Sequence, residues 1–184
     1  MKWLLLFIGI VVAPLASAEA PVLVIHSYHH GFEWSNQVNK GLEETLEGLD
    51  IPIQETYLDV KRNYSSAYRD QLKTLYRYRL AEHKYRAILT VDDAALELVN
   101  ELADAIGQTP VIFSGLNQYS RERFSNIPRL TGVGELISLP DNLKLMSSLH
   151  PDAKRVHLVF DSTATSLSYW RMFREQQEKE GEQL

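Results

Sequence analysis

Val22-Leu23-Val24-Ile25-His26, running into Ser27-Tyr28 and a helical stretch that opens near Trp34, decides the fold. An almost unbroken apolar run this short is the mark of a strand buried on both faces, which occurs in parallel sheets. The helical stretch carries Trp34, Val38, Leu42 and Leu46 four residues apart. That spacing draws one apolar stripe along an amphipathic helix, with Ser35 near its cap.

The same alternation continues along the chain. Ile53 to Val60 alternates polar and apolar residues, as a strand nearer a sheet edge does. Ser65 or Ser66 can cap the next helix, whose inner face would carry Tyr68, Leu72, Leu75, Tyr76 and Leu80. Ala87 to Val91 is another buried strand. Asp92 and Asp93 follow, then a helix with Ala95, Leu98, Val99, Leu102 and Ile106 on one face and Gly107 at its C-terminal cap. Val111 to Phe113 and Leu130 to Gly134 read as the fourth and fifth strands. Ser138-Leu139-Pro140-Asp141 starts a helix that stops at His150-Pro151. Val156 to Phe160 reads as a sixth strand and Ser166 to Gln177 as a last helix. Strands separated by helices of this length predict an α/β fold, a doubly wound parallel sheet with right-handed crossovers and strand order 2-1-3-4-5.

Upstream of the first strand, Lys2, the apolar run Leu4 to Leu15 and the small residues Ala16-Ser17-Ala18 form a secretory signal pattern, with cleavage expected after Ala18. The alternative is an uncleaved anchor, but a dozen apolar residues fall short of the roughly 20 that span a bilayer. The expected location is therefore the periplasm or the medium. Among the 184 residues there is no cysteine, which excludes disulfides, thiolate metal sites, a cysteine nucleophile and a lipidated N-terminal cysteine. The formal net charge is -5, and the one basic cluster, Arg77, Arg79, Lys84 and Arg86, reads as a solvated helix face, so no nucleic-acid partner is expected.

In an open α/β sheet a ligand binds beyond the carboxyl ends of the strands, where the strand order reverses. The loops converging there are Ser27 to Trp34, Asp92 with Asp93, and Ser114 to Tyr119. Ser27, Tyr28 and Trp34 suit a small polar or aromatic ligand, although Phe32 and Trp34 equally serve as a hydrophobic staple for the helix. Asp92 and Asp93 would bind an amine or hydroxyl, or one of them caps the following helix. Ser114 and Asn117 offer a hydroxyl and an amide, or shape a turn with Gly115. His26, His29 and His30 have no acidic companion at a recognised ligand spacing, so no metal is expected. No Gly-x-Ser-x-Gly elbow, phosphate-binding glycine loop or His-Glu-x-x-His is present, and neither an enzyme nor a bound cofactor is expected.

Several of these segments, Val22 to Trp34, Thr90 to Leu96, Pro110 to Asn117, Leu130 to Val133 and His150 to Val156, together resemble the ABC-transporter substrate-binding-protein-like family of type I periplasmic binding fold. The version used as the extracytoplasmic sensor region of bacterial histidine kinases is the most similar in flavour. The resemblance implies two lobes closing on a small molecule. Residues 19–135 would form the first lobe and residues 136–184 the start of a second, shorter than in family members. Glu135 would lie at the crossover. Asp161, Thr163 and Thr165 would face the first-lobe loops, with the N-terminus of the last helix as an anion site. The function implied is that of a solute receptor serving an ABC permease, or alternatively the ligand-sensing region of a signalling protein. An amino acid or other small planar metabolite is the ligand class suggested. An exported hydrolase or transferase using Asp92, Asp93 and a histidine is the third reading.

Overall fold

The computed structural model describes residues 19–63, 65–117, 119–135, 138–162 and 164–180. Residues 1–18, where a signal peptide is expected, lie outside the described residues. Five strands form one parallel sheet: β1 (Val22–His26), β2 (Ile53–Tyr57), β3 (Ala87–Val91), β4 (Val111–Asn117) and β5 (Leu130–Glu135). Their order is β2-β1-β3-β4-β5, as the sequence predicts. The first crossover places β2 on one side of β1 and the second places β3 on the other, so the reversal falls between β1 and β3.

Helices cover both faces. Helix α1 (Glu33–Leu46) packs Val38 and Leu42 against Val24, Leu89 and Val91 on one face. On the other, α2 (Ser66–Glu82), α3 (Asp93–Glu101) and α4 (Ala103–Ile106) build the larger core on Leu23, Ile25 and Ile88. The alternation of side chains along each strand sends odd residues of β1 to one layer and even residues to the other.

Helix α2 buries the row Leu72, Tyr76 and Leu80, four residues apart, and Ser65 caps it by accepting from Tyr68 N. Leu75 stands on the flank of that row and is 45% exposed, so it does not belong to the inner face. The helix expected from Ala95 to Ile106 is broken at Leu102, whose N–H is shared between the carbonyls of Leu98 and Val99. Gly107 ends α4 at φ 55°, the left-handed conformation that glycine adopts without a Cβ penalty. Strand β4 runs on to Asn117, through residues expected to be loop; an irregularity in its register at Gly115 accommodates the extension.

Helix α5 (Leu139–Leu149) starts and stops where the sequence predicts, between Ser138 and His150. Helix α6 (Ala164–Glu180) lies against β4, burying Ser168 and Met172. The strand expected over Val156 to Phe160 does not form. A strand needs a neighbour's N–H and C=O groups, and this segment has no ladder partner among the described residues; Val159 is 93% exposed.

Candidate functional site

The carboxyl ends of β1 and β3 meet at Ser27 and Asp92. Ser27 donates its hydroxyl to Val91 O at 2.8 Å and accepts from Ala95 N at 2.9 Å. Its polar capacity is therefore largely spent on joining β1 to the start of α3, and Ser27 acts as a cap supplied from another strand. Asp92 supplies the second cap, accepting from Asp93 N at 2.7 Å. The capping alternative weighed for the acid pair holds for Asp92.

Asp92 does more than cap. Its backbone lies at φ 71°, ψ 171°, a region populated almost only by glycine. Three contacts hold it there: its N–H donates to Ser114 O at 2.8 Å, Oδ1 accepts from Asp93 N, and Oδ2 accepts from the Tyr28 hydroxyl at 2.5 Å. Burial pushes its carboxyl above the usual range, while Tyr28 and Lys61 oppose the rise and Glu135 adds to it. Asp93 accepts from Asn117 Nδ2 at 2.6 Å and has Arg123 Nη1 at 3.8 Å. Its pKa is pushed up to about 6, first by burial and then by the charge of Asp92, against the pull of Asn117 and Arg123.

Trp34, 39% exposed, closes the rim from α1. Its indole lies on the backbone of Gly115, where a Cβ would stand 3.0 Å from the ring. Gly115 has φ 70°, so a side chain is disfavoured there both by conformation and by the indole. The helix itself begins at Phe32, with no side-chain cap, and Ser35 sits inside the first turn with a fully buried hydroxyl. Ser35 is thus not the cap expected from the sequence.

The structure brings Ser27, Tyr28, Asp92, Asp93, Ser114 and Asn117 to one edge, joined by the contacts above. Glu135, at the end of β5, acts electrostatically on Asp92. Asp161 is exposed ahead of α6, where its N–H donates to Ser166 Oγ at 3.4 Å. Thr163 and the side chain of Thr165 lie outside the described residues. Three contributors were not singled out from the sequence. Tyr169, one turn beyond Thr165 on α6, has its hydroxyl raised to about 12 by burial and by Glu135, Asp92 and Asp93. Arg123 reaches Asp93 from the segment between β4 and β5, and also pairs with Glu97. Lys61 reaches the β1 loop from the turn after β2; a loop at the carboxyl end of a strand was the available signal.

A second polar group lies on the α1 side of the sheet. His26 stacks on Tyr57 with ring centroids 4.7 Å apart, and its Nε2 is 2.8 Å from Asn39 Oδ1. Asn39 Nδ2 donates to Glu55 and to the Tyr57 hydroxyl, so its Oδ1 must accept, which places the imidazole hydrogen on Nε2. His26 Nδ1 is buried with no hydrogen bond. No group of metal-ligating side chains occurs among the described residues.

No family model and no curated protein matches this sequence. A solved chain described as a conserved domain protein from Vibrio cholerae O1 biovar El Tor has a similar structure, with a TM-score of 0.62 at 15% identity. The match covers 88% of this chain and 54% of the other, so the chain spans about half the length of that neighbour. At this identity the likeness speaks for the α/β fold.

Proposed function

We propose that the protein is an extracytoplasmic small-molecule-binding module of the substrate-binding type, with its ligand seated at the carboxyl edge between β1 and β3. The observation that carries this reading is Asp92: a buried acid in a glycine-like backbone conformation, at the point where the strand order reverses. Strain of this kind survives only where the surroundings over-determine it, and it concentrates at ligand clamps and active sites. Tyr28, Trp34 and Asn117 give the edge an aromatic and amide character suited to gripping a small polar ligand. The contacts of Ser27 and Asp92 are capping and cross-strand bonds, with no nucleophile–base pair among them. A binding role therefore fits better than a hydrolase or transferase.

The resemblance described above favours two settings, delivery of solute to an ABC permease or sensing ahead of a signalling domain. Export with cleavage after Ala18 belongs to both. A thermal-shift screen of amino acids and small planar metabolites tests the reading, because a ligand that binds only the folded state raises its melting temperature. At least one compound should stabilise the wild type, and Trp34→Ala should abolish the effect. No stabilising compound, or one indifferent to Trp34, counts against the site. N-terminal sequencing of the exported protein should begin at Glu19; a retained Met1 would remove the export half of the proposal.

A further inference from the structure

The rim of this site already holds a cation. Lys61 Nζ lies 4.3 Å from the ring centroid of Tyr28 and 4.4 Å from that of Phe32. Both distances are well inside the range in which a ring face attracts an ammonium. The two rings meet edge to face, 4.7 Å apart, and form two walls of a corner. That corner is anchored independently of the lysine. Tyr28 is fixed by its hydroxyl on Asp92, and Phe32 by its place at the start of α1. The backbone carrying Lys61 is tied to the β1 loop as well, through Leu58 N to His26 O and Val60 N to Ser27 O.

Lys61 is exposed, and among the described residues it makes no ion pair within 4 Å. Its charge interacts favourably with Asp92, whereas Glu135 acts against the charge of Asp92, Asp92 against that of Asp93, and all three raise the Tyr169 hydroxyl. Arg123, the other cation nearby, is engaged by Glu97 and Asp93. Aromatic walls, one of them tied to the buried acid Asp92, form a place for positive charge, and a flexible side chain fills it.

We propose that the Tyr28–Phe32 corner is the cation subsite of the ligand site, that it takes an alkylammonium group of the ligand, and that Lys61 is its built-in competitor, displaced when that group enters. This inference rests on the small-molecule reading above and names the class of ligand. It also makes Lys61 a residue that sets affinity: the ligand's ammonium gains only the difference between its own contacts and those of the lysine.

Calorimetric titration of choline into the wild type, Lys61→Met and Lys61→Arg tests this. Choline is compared with its neutral isostere, in which carbon replaces nitrogen. With the competitor removed, Lys61→Met should bind choline about tenfold more tightly than the wild type, the size of a modest cation–π contribution. Lys61→Arg keeps a cation over the rings and should bind as the wild type does. The isostere should gain nothing. Adding Phe32→Leu to Lys61→Met should reverse the gain, and Phe32 is only half-buried, so the fold should tolerate the change. Choline binding by Lys61→Met that is undetectable, or no tighter than the wild type, would overturn the proposal, as would an equal gain for the isostere. A metabolite without a cationic group that stabilises the wild type through Trp34 would, alongside that failure, leave the binding site standing and remove only its ammonium class.

Discussion

The Tyr28 hydroxyl donates to Asp92 Oδ2 across 2.5 Å, and this bond ties the loop after β1 to the strained residue after β3. The two strands are neighbours in the sheet, so the bond links their carboxyl ends where the strand order reverses. Tyr28→Phe keeps the ring and its edge contact with Phe32 but leaves Asp92 short of a donor in a buried setting. The expected loss of stability is about 1–3 kcal/mol, the cost of an unsatisfied buried acceptor. Urea unfolding of the variant, with an unchanged m-value, measures it.

The strain at Asp92 yields a comparison between two substitutions. Both Asp92→Ala and Asp92→Gly lose the side-chain bonds to Tyr28 and Asp93. Only glycine fits φ 71°, ψ 171° without steric cost. Asp92→Gly should therefore be the more stable of the two by about 1–2 kcal/mol. Equal midpoints for the pair would show that the backbone relaxes once the side chain is gone.

Gly132 is the tightest glycine in the sheet. A Cβ there would stand 2.2 Å from Phe113 O and 2.5 Å from the Phe113 ring. The clash is with the backbone of the paired strand, so rotating a side chain cannot relieve it. Gly132→Ala should cost about 3 kcal/mol, at the upper end of overpacking penalties, by forcing β5 away from β4. Hydrogen exchange should show the loss concentrated in Leu130–Glu135, with β1 and β3 protected as before.

His26 gives a dependence on acid. Burial holds its pKa below 6.5, with the Asn39 hydrogen bond and Glu55 opposing that effect. The unfolded chain then binds a proton that the native state refuses, so stability falls as pH drops below 6.5 toward the native value. In His26→Gln, the amide nitrogen can reproduce the donor to Asn39 and cannot titrate. The variant should lack this component of the slope when denaturant midpoints are compared across pH 5 to 7.

Much of the fold is legible because burial imposes simple periods. The runs Val22–His26 and Ala87–Val91 could only be interior strands, and the spacing of Leu72, Tyr76 and Leu80 could only be a helix row. What the sequence misleads on depends on partners. Val156 to Phe160 has strand composition, but composition does not provide a neighbouring strand. Ser114 to Asn117 has turn composition, yet pairing with β5 extends β4 through it. The acid pair and Tyr28 are legible at the site because they stand at strand ends. Lys61, Arg123 and Tyr169 are not, because each reaches the edge from a segment whose approach only the tertiary packing determines.

Asp93 supplies the opposite pH dependence from His26. Its native pKa of about 6 stands above the ordinary 3.8, raised chiefly by burial. Between those values the native state holds a proton that the unfolded chain has released. The stabilising contribution of protonated Asp93 is thus fully present below about pH 4 and lost as pH climbs through about 6. At neutral pH the residue is a buried carboxylate, with one hydrogen bond from Asn117 and Arg123 at the edge of ion-pair distance. Asp93→Asn keeps an oxygen for the Asn117 amide and removes the charge at every pH. It should be more stable than the wild type at neutral pH by on the order of 1–3 kcal/mol, and the advantage should vanish near pH 4. Guanidinium midpoints of the two proteins across that range decide it. An Asp93→Asn protein less stable than the wild type at neutral pH would mean that the attraction of Arg123 exceeds the cost of burying the charge.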